Sequence, residues 1–352
     1  LNVTMINGVK RSESALLHAG SPLFGQFKDS LRHVQGQLDT SLDAFGHSRS
    51  AFARRLGYKQ FQFFGGMSEE LVFGCALVSL GHSCSAFIYA VDMRTGERFE
   101  HSSMRPGSMG MSLSDNPREG SSHCQMGRLQ VEQRYFDQPR QKQLKVSIGE
   151  EFVLEALSHE TDFEPMSLCT RSGYNGWTYA NKTAGVALTG SLLWRGKKID
   201  LETIKCMGHH DFSCGFMRPE TWWNWACFSG HAELEGGAES AAIGLNISCG
   251  VNETSYSENC FWLNGECINT AAAVFDFDRQ APLSEWKIHT HDDSVSLRFT
   301  PLGIYEDNTR LGPLAARFRQ VFGHFDGYLI HQGQRYLIKR LSGFVEDQFV
   351  RW

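Results

Sequence analysis

Two neighbouring stretches carry residue types that can do chemistry. In GHHDFSCG, residues 208–215, two histidines and an aspartate sit between glycines. On a strand, residues two apart share a face, so His209 and Asp211 point together while His210 points away. A histidine–carboxylate pair lining a dry pocket can run general acid–base chemistry; in a solvated loop it does nothing. The stretch that follows, MRPETWWNWACFSG, residues 217–230, places Arg218, Glu220, Trp222 and Asn224 on one face, and Trp223, Trp225 and Cys227 on the other. The first face mixes charge, hydrogen-bonding groups and a large ring, which suits a pocket with a polar end and an apolar body better than a dry core. Trp222 is therefore expected to face a ligand cavity near the contact between two units, with Trp223 and Trp225 as packing residues. The plain alternative has Arg218 and Glu220 neutralising each other while all three tryptophans pack.

Further polar points are scattered downstream. Asn246 in GLNISCG, and Glu258 with Asn259 in SENCFW, stand beside apolar strand residues, as ligand-binding groups or as cross-strand anchors. His289 and His291 in KIHTHDD share a face, the geometry of a partial metal site, but the following DD reads as a hairpin turn, and no metal is expected. Glu346 in GFVEDQFVRW is read as a barrel-closing partner of an arginine.

What positions these residues is mostly β-structure. YKQFQFFGG alternates Phe61 and Phe63 with Gln60 and Gln62. ELVFGCALVSL, SAFIYAVDM and RFEHSSM continue as a meander, and RLQVEQRYF, QKQLKVSIG and EFVLEALSH repeat the rhythm. The pattern restarts in VALTGSLLW and runs through AAIGLNISCG, CFWLNGECI, WKIHTHDDSVSLRF and YLIHQGQRYLIKRL. Helical patterns are few: DAFGHSRSAFARRLG and LGPLAARFRQVFG. The expectation is an all-β chain of two units, residues 1–180 and 181–352, joined near the glycine-rich RSGYNGWTYANKTAG.

Composition narrows the function. The 352 residues are 41% hydrophobic, as in packed globular proteins, and 34 basic against 39 acidic residues are mixed along the chain, so no basic stripe suggests nucleic acid. No run approaches the roughly 18 apolar residues of a membrane span, and LNVTMINGVKRSES lacks an apolar signal core, so a soluble, unexported, cytoplasmic chain is expected. The ten cysteines form no C-x-x-C pair and are expected as buried, reduced thiols; Asn181-Lys-Thr and Asn246-Ile-Ser are then chance sequons.

The order of FFGG, GHHDFSCGFMRPETWWNWA, GLNISCG, SENCFWLNG, FGHFDGYL and GFVEDQFVRW resembles a bacterial family of unknown function. That family is similar to tandem lipocalin-like, calycin-type proteins, among them the AttH-like proteins and carotenoid 1,2-hydratases. The resemblance implies two lipocalin-like antiparallel barrels, or strongly curved sheets, in tandem and carries over no catalytic residue. Two functions fit. One is a cofactor-independent hydratase, isomerase or cyclase acting on a lipid or isoprenoid-like substrate, with Asp211 or Glu220 as an acid whose pKa burial raises and His209 beside it. Arg218, Trp222, Asn224, Asn246 and Glu258 would bind the substrate, and tryptophan faces would steady a cation. The other is a carrier or sensor of a hydrophobic molecule using the same cavity. A third, purely structural possibility has both cores filled.

Overall fold

The computed structural model describes residues 10–237, 239–251, 256–312 and 314–351. The start of the chain, where a signal core was sought, lies largely outside them. Among the described residues no helix is long and apolar enough to cross a membrane. The chain is nearly all β. The one α-helix among the described residues, α1 (Ala51–Gly57), takes up only the second half of DAFGHSRSAFARRLG and is capped by Ser50, whose hydroxyl accepts from the Ala53 N–H at 3.2 Å.

The longer strands of the first sheet are β1 (Lys59–Met67), β2 (Leu71–Ser79), β3 (Ser83–Asp92), β4 (Arg98–Pro106), β5 (Gly120–Met126), β6 (Leu129–Asp137), β7 (Arg140–Ile148), β8 (Phe152–His159), β9 (Met166–Arg171), β10 (Trp177–Trp194) and β11 (Met207–Phe216). They run in the order β4-β3-β2-β1-β11-β10-β8-β7-β6-β5, with β9 also paired to β10. The second sheet holds β12 (Glu220–Leu234), β13 (Ser240–Cys249), β14 (Cys260–Leu263), β15 (Glu266–Asn269), β16 (Ala273–Asp276), β17 (Trp286–Thr290), β18 (Val295–Leu311), β19 (Leu314–His331) and β20 (Gln334–Arg351). Their order is β15-β14-β13-β12-β20-β19-β18-β17-β16. Both sheets obey one rule: a four-strand meander whose first strand pairs the last strand of its own sheet, β1 with β11 and β12 with β20. Two curled antiparallel sheets in tandem result.

One element differs from the pattern of the sequence. Of LGPLAARFRQVFG, read as helical, the part from Leu314 onward is the start of β19, because its backbone is paired along both edges, to β18 and to β20, and a helix would strand those partners. The segment 170–190 runs through β9 and β10 of the first sheet, and the chain changes sheet between Phe216 and Glu220. All ten cysteines are free and all but Cys249 are buried.

The sheets meet along β1, β10 and β11 on one side and β12 and β13 on the other, and their apolar residues form one cluster across the seam. Close approach requires glycine. A Cβ on Gly185, at φ +87, would lie 2.7 Å from the Gly244 nitrogen, and one on Gly244 would lie 2.0 Å from the Ala184 oxygen. Ser229 stitches the same place: its hydroxyl accepts from the Gly185 N–H at 2.9 Å and donates to the Gly208 oxygen at 3.1 Å.

Candidate functional site

The alternation of β11 delivers consecutive residues to opposite sides of the first sheet. His210 points inward, against Phe64 and Tyr135, whereas His209 points toward the second sheet, its ring between Phe63 and Phe344 at centroid distances of 5.3 and 5.4 Å. The FFGG motif explains the fit, since a Cβ on Gly65 would lie 2.4 Å from the His209 ring. Among the described residues neither ring nitrogen of His209 has a hydrogen-bond partner, and burial lowers its pKa to about 3, so the imidazole is neutral.

Two residues along, Asp211 meets Lys182, its register partner on β10, at 3.2 Å, and Ser213 donates to Asp211 at 2.5 Å. The Lys182 ammonium also donates to Glu258 at 2.8 Å and lies 4.6 Å from the centre of the Trp225 ring. Burial opposes this charge, yet the two carboxylates outweigh it and hold the Lys182 pKa above its ordinary value. Burial, assisted by the like charge of Glu258, pushes the Asp211 pKa up despite its lysine. Asn246 fixes two members of the group: it accepts from Trp225 Nε1 at 2.8 Å and donates to the Glu258 carbonyl at 2.9 Å. Asn259 accepts from the Ser248 N–H at 2.7 Å. Asn246, Glu258 and Asn259 thus connect the seam across strands, and the sequon asparagines Asn181 and Asn246 are both buried.

A second acid lies on the same side. Glu346 pairs with Trp225 in register, accepts from Trp223 Nε1 at 2.9 Å and from Gln320 Nε2 at 2.8 Å, and is buried. Burial lifts its carboxyl to about 7, with the Trp223 and Gln320 hydrogen bonds opposing only in part. The expected arginine partner belongs to its neighbour: Asp347 pairs with Arg317 at 2.7 Å and Arg279 at 3.5 Å. Behind Glu346 the buried Tyr89 hydroxyl faces the Gln320 side chain, close enough to interact with it, though neither that hydroxyl nor the Gln320 carbonyl oxygen makes a well-formed hydrogen bond among the described residues. Buried polar atoms left wholly without a partner cost roughly 1–3 kcal/mol each in a dry protein.

Not every expected residue arrives here. His209, Asp211, Asn246 and Glu258 gather at the seam, while Arg218 and Glu220 are exposed and Trp222 is 44% exposed. Asn224, on the Trp222 face, is buried but donates to the Glu346 carbonyl at 3.1 Å and contacts Asp347 at 3.4 Å, tying β12 to β20. The faces of MRPETWWNWACFSG are as alternation predicts, but it is the Trp223 and Trp225 face that looks into the seam. The cause is topological, since β12 opens the second sheet and lays its outer face on the first. Lys182 and Glu346 are the residues that sequence reasoning missed as site members. A lysine alternating with alanines in YANKTAGVAL was the available signal for the former.

A model of the family "Domain of unknown function (DUF2804)" matches residues 19–352. The chain belongs to this family. No curated protein matches the sequence. Among solved structures, CghA bound to Sch210972 is similar over 97% of both chains, with TM-score 0.54 and 12% identity. Kievitone hydratase from Nectria haematococca covers 83% of this chain and 88% of its own, with TM-score 0.47 and 11% identity. An AttH protein from Nitrosomonas europaea covers 82% and 91%, with TM-score 0.45 and 12% identity. At such identities the likeness is one of fold. In this family member the seam between the sheets brings together buried charge, aromatic rings and unpartnered polar atoms.

Proposed function

We propose that the chain binds a small molecule with an apolar body in the seam between its two sheets and exchanges a proton with it through Glu346, without a cofactor. The reaction class is hydration, isomerisation or cyclisation at a double bond. The observation that carries this reading is the placement of a buried carboxyl among Trp223, Gln320 and Tyr89, where the Tyr89 hydroxyl and the Gln320 side chain face each other without a well-formed hydrogen bond, in a layer otherwise lined by aromatic rings. A carboxyl at about 7 is about half protonated at neutral pH and can give up its proton at little cost. Protonation of the double bond leaves a carbocation and a carboxylate. Water adds to the cation in a hydration, or a neighbouring proton is lost in an isomerisation, and Glu346 takes that proton back. The CghA structure, which holds Sch210972, supports small-molecule binding on this architecture.

Asp211 is less suited to the acid role, since its charge is committed to Lys182. Lys182 also occupies a face of Trp225, so a developing cation would lean on Trp223 instead. The test is conversion of a panel of isoprenoid alcohols and unsaturated fatty acids in deuterated water, followed by mass. Deuterium incorporation or a gain of one water is expected, with a rate that falls as pH rises above about 7 and is lost in Glu346→Gln. Retained conversion in that variant sinks the proposal. Saturable binding without conversion by the native chain assigns the seam to a carrier or sensor.

A further inference from the structure

A cleft of 270 Å³ opens at one edge of the seam, between Val91, Met93 and Arg98 of the first unit and Leu302, Ile304 and Phe322 of the second. Its walls are mostly aliphatic, and Leu283 and Leu302 at its rim are 54% and 53% exposed, side chains that water does not favour. The floor leads inward. Phe322 is buried, lines the cleft and packs on Tyr89 with ring centres 4.9 Å apart, and the Tyr89 hydroxyl stands behind Glu346 without a well-formed hydrogen bond. The Arg98 guanidinium donates across the cleft to the Ile304 carbonyl, holding the two walls together.

We infer that this cleft is the entrance to the seam and holds an extended hydrocarbon chain, acyl or isoprenoid, whose functional end passes Phe322 to reach Tyr89 and Gln320. The inference rests on the proposed function for what happens at that end. Its volume supports a divided site: small-molecule pockets run to about 300–1,000 Å³, so this cleft accommodates one part of such a ligand and leaves the rest to the seam. The division also matches the chemistry, because the cleft offers aliphatic walls and the inner groups offer a hydroxyl and an amide whose interaction with each other falls short of a well-formed hydrogen bond.

Gly303 allows a clean obstruction. Nothing lies within 4 Å of where its Cβ would be, so Gly303→Trp fills the cleft without displacing backbone. The probe is cis-parinaric acid, a polyene fatty acid that accepts excitation energy from tryptophan. Saturable energy transfer is expected in the native chain and weakened about tenfold in Gly303→Trp at unchanged melting temperature. Undiminished binding in Gly303→Trp overturns the cleft as the entrance, whatever Glu346 does. Should Gly303→Trp lower the melting temperature, Leu302→Asp, at the exposed rim, replaces it and must show the same loss. Loss of binding in both cleft variants, with conversion unaffected by Glu346→Gln, keeps the cleft and removes the proton-transfer reading. No saturable binding by the native chain overturns the inference outright.

Discussion

His209 and His210 are adjacent in the chain, equally buried, and open onto two different kinds of polar interior. Behind His210, inside the first sheet, most groups satisfy one another, although His210 Nδ1 and Gln133 Nε2 lack partners among the described residues. His210 Nε2 lies 3.2 Å from the Tyr135 hydroxyl, which reaches Gln62 and Gln133 at 3.2 and 3.1 Å, and Ser122 donates to Gln62 at 2.6 Å. Beside them, Lys142 is paired with both oxygens of Glu160 at 2.6 and 2.7 Å, and Thr183 donates to the same carboxylate. Behind His209, in the seam, one lysine serves two acids, a third acid is held near neutrality, and a hydroxyl, an imidazole and an amide oxygen lack a well-formed hydrogen bond among the described residues. A well-paired network gives register and rigidity to a core. Both interiors keep unpartnered atoms, and what sets the seam apart is the carboxyl of Glu346, held near neutrality among Trp223, Gln320 and Tyr89, which is why the proposed site is placed there.

The largest effects separate the two lysines. Lys182→Met strips the cation from Asp211 and Glu258 together and should cost about 3–5 kcal/mol at pH 8 in urea unfolding, as for other broken buried pairs. Lys142→Met should cost less, because Glu160 keeps Thr183, Ser158 and, at 3.7 Å, Arg140. An equal loss in both variants would mean that the seam is as self-contained as the interior.

The tryptophans come next and invert what alternation alone suggested. Trp225 is 6% exposed, carries the cation of Lys182 on its face and packs against Phe344 at 5.0 Å. Trp225→Ala should therefore cost about 3–5 kcal/mol and abolish probe binding, whereas Trp222→Ala, at an exposed ring, should cost under about 1 kcal/mol and leave binding alone. Greater loss of probe binding in Trp222→Ala would restore the outer face as the ligand wall.

How much of this was legible differs by level. Period-two alternation exposed most strands, and the faces of β1, β11 and β12 follow from it directly, because pleat geometry is local. Which face meets the other sheet is not local. It depends on β12 pairing with β20, over a hundred residues away, and on glycines 185 and 244 letting two backbones touch. The same holds for β19, whose arginine- and alanine-rich start has no intrinsic strand character and becomes a strand because both edges are already taken. Glu346 and Asp347 illustrate the limit most sharply: two neighbouring acids in one strand, of which the sequence suggested an arginine for the first while the fold provides it to the second.

The smallest effect at neutral pH, and the most discriminating, belongs to the histidine pair. The folded-state pKa of His209 is depressed from 6.5 to about 3 by burial, so below 6.5 the unfolded chain takes up a proton that the folded chain refuses. The stability that His209 contributes is present above pH 6.5 and is lost as pH falls toward 3, at up to about 1.4 kcal/mol per pH unit. His210 is depressed in the same direction, by burial first and then by the charge of Lys142, so its linkage has the same sign. What separates the two is hydrogen bonding. His209→Leu exchanges an unpartnered imidazole for an apolar side chain and should change stability at pH 8 by less than about 1 kcal/mol while flattening the acid loss between pH 6 and 4. His210→Leu should flatten the acid loss likewise but cost about 1–3 kcal/mol at pH 8, since it removes a partner of the buried Tyr135 hydroxyl. Urea unfolding of both variants across pH 4 to 8 is the measurement. If His209→Leu is the costlier at pH 8, its ring already has what it needs in the folded chain, and the seam loses its claim to hold the less satisfied of the two histidines.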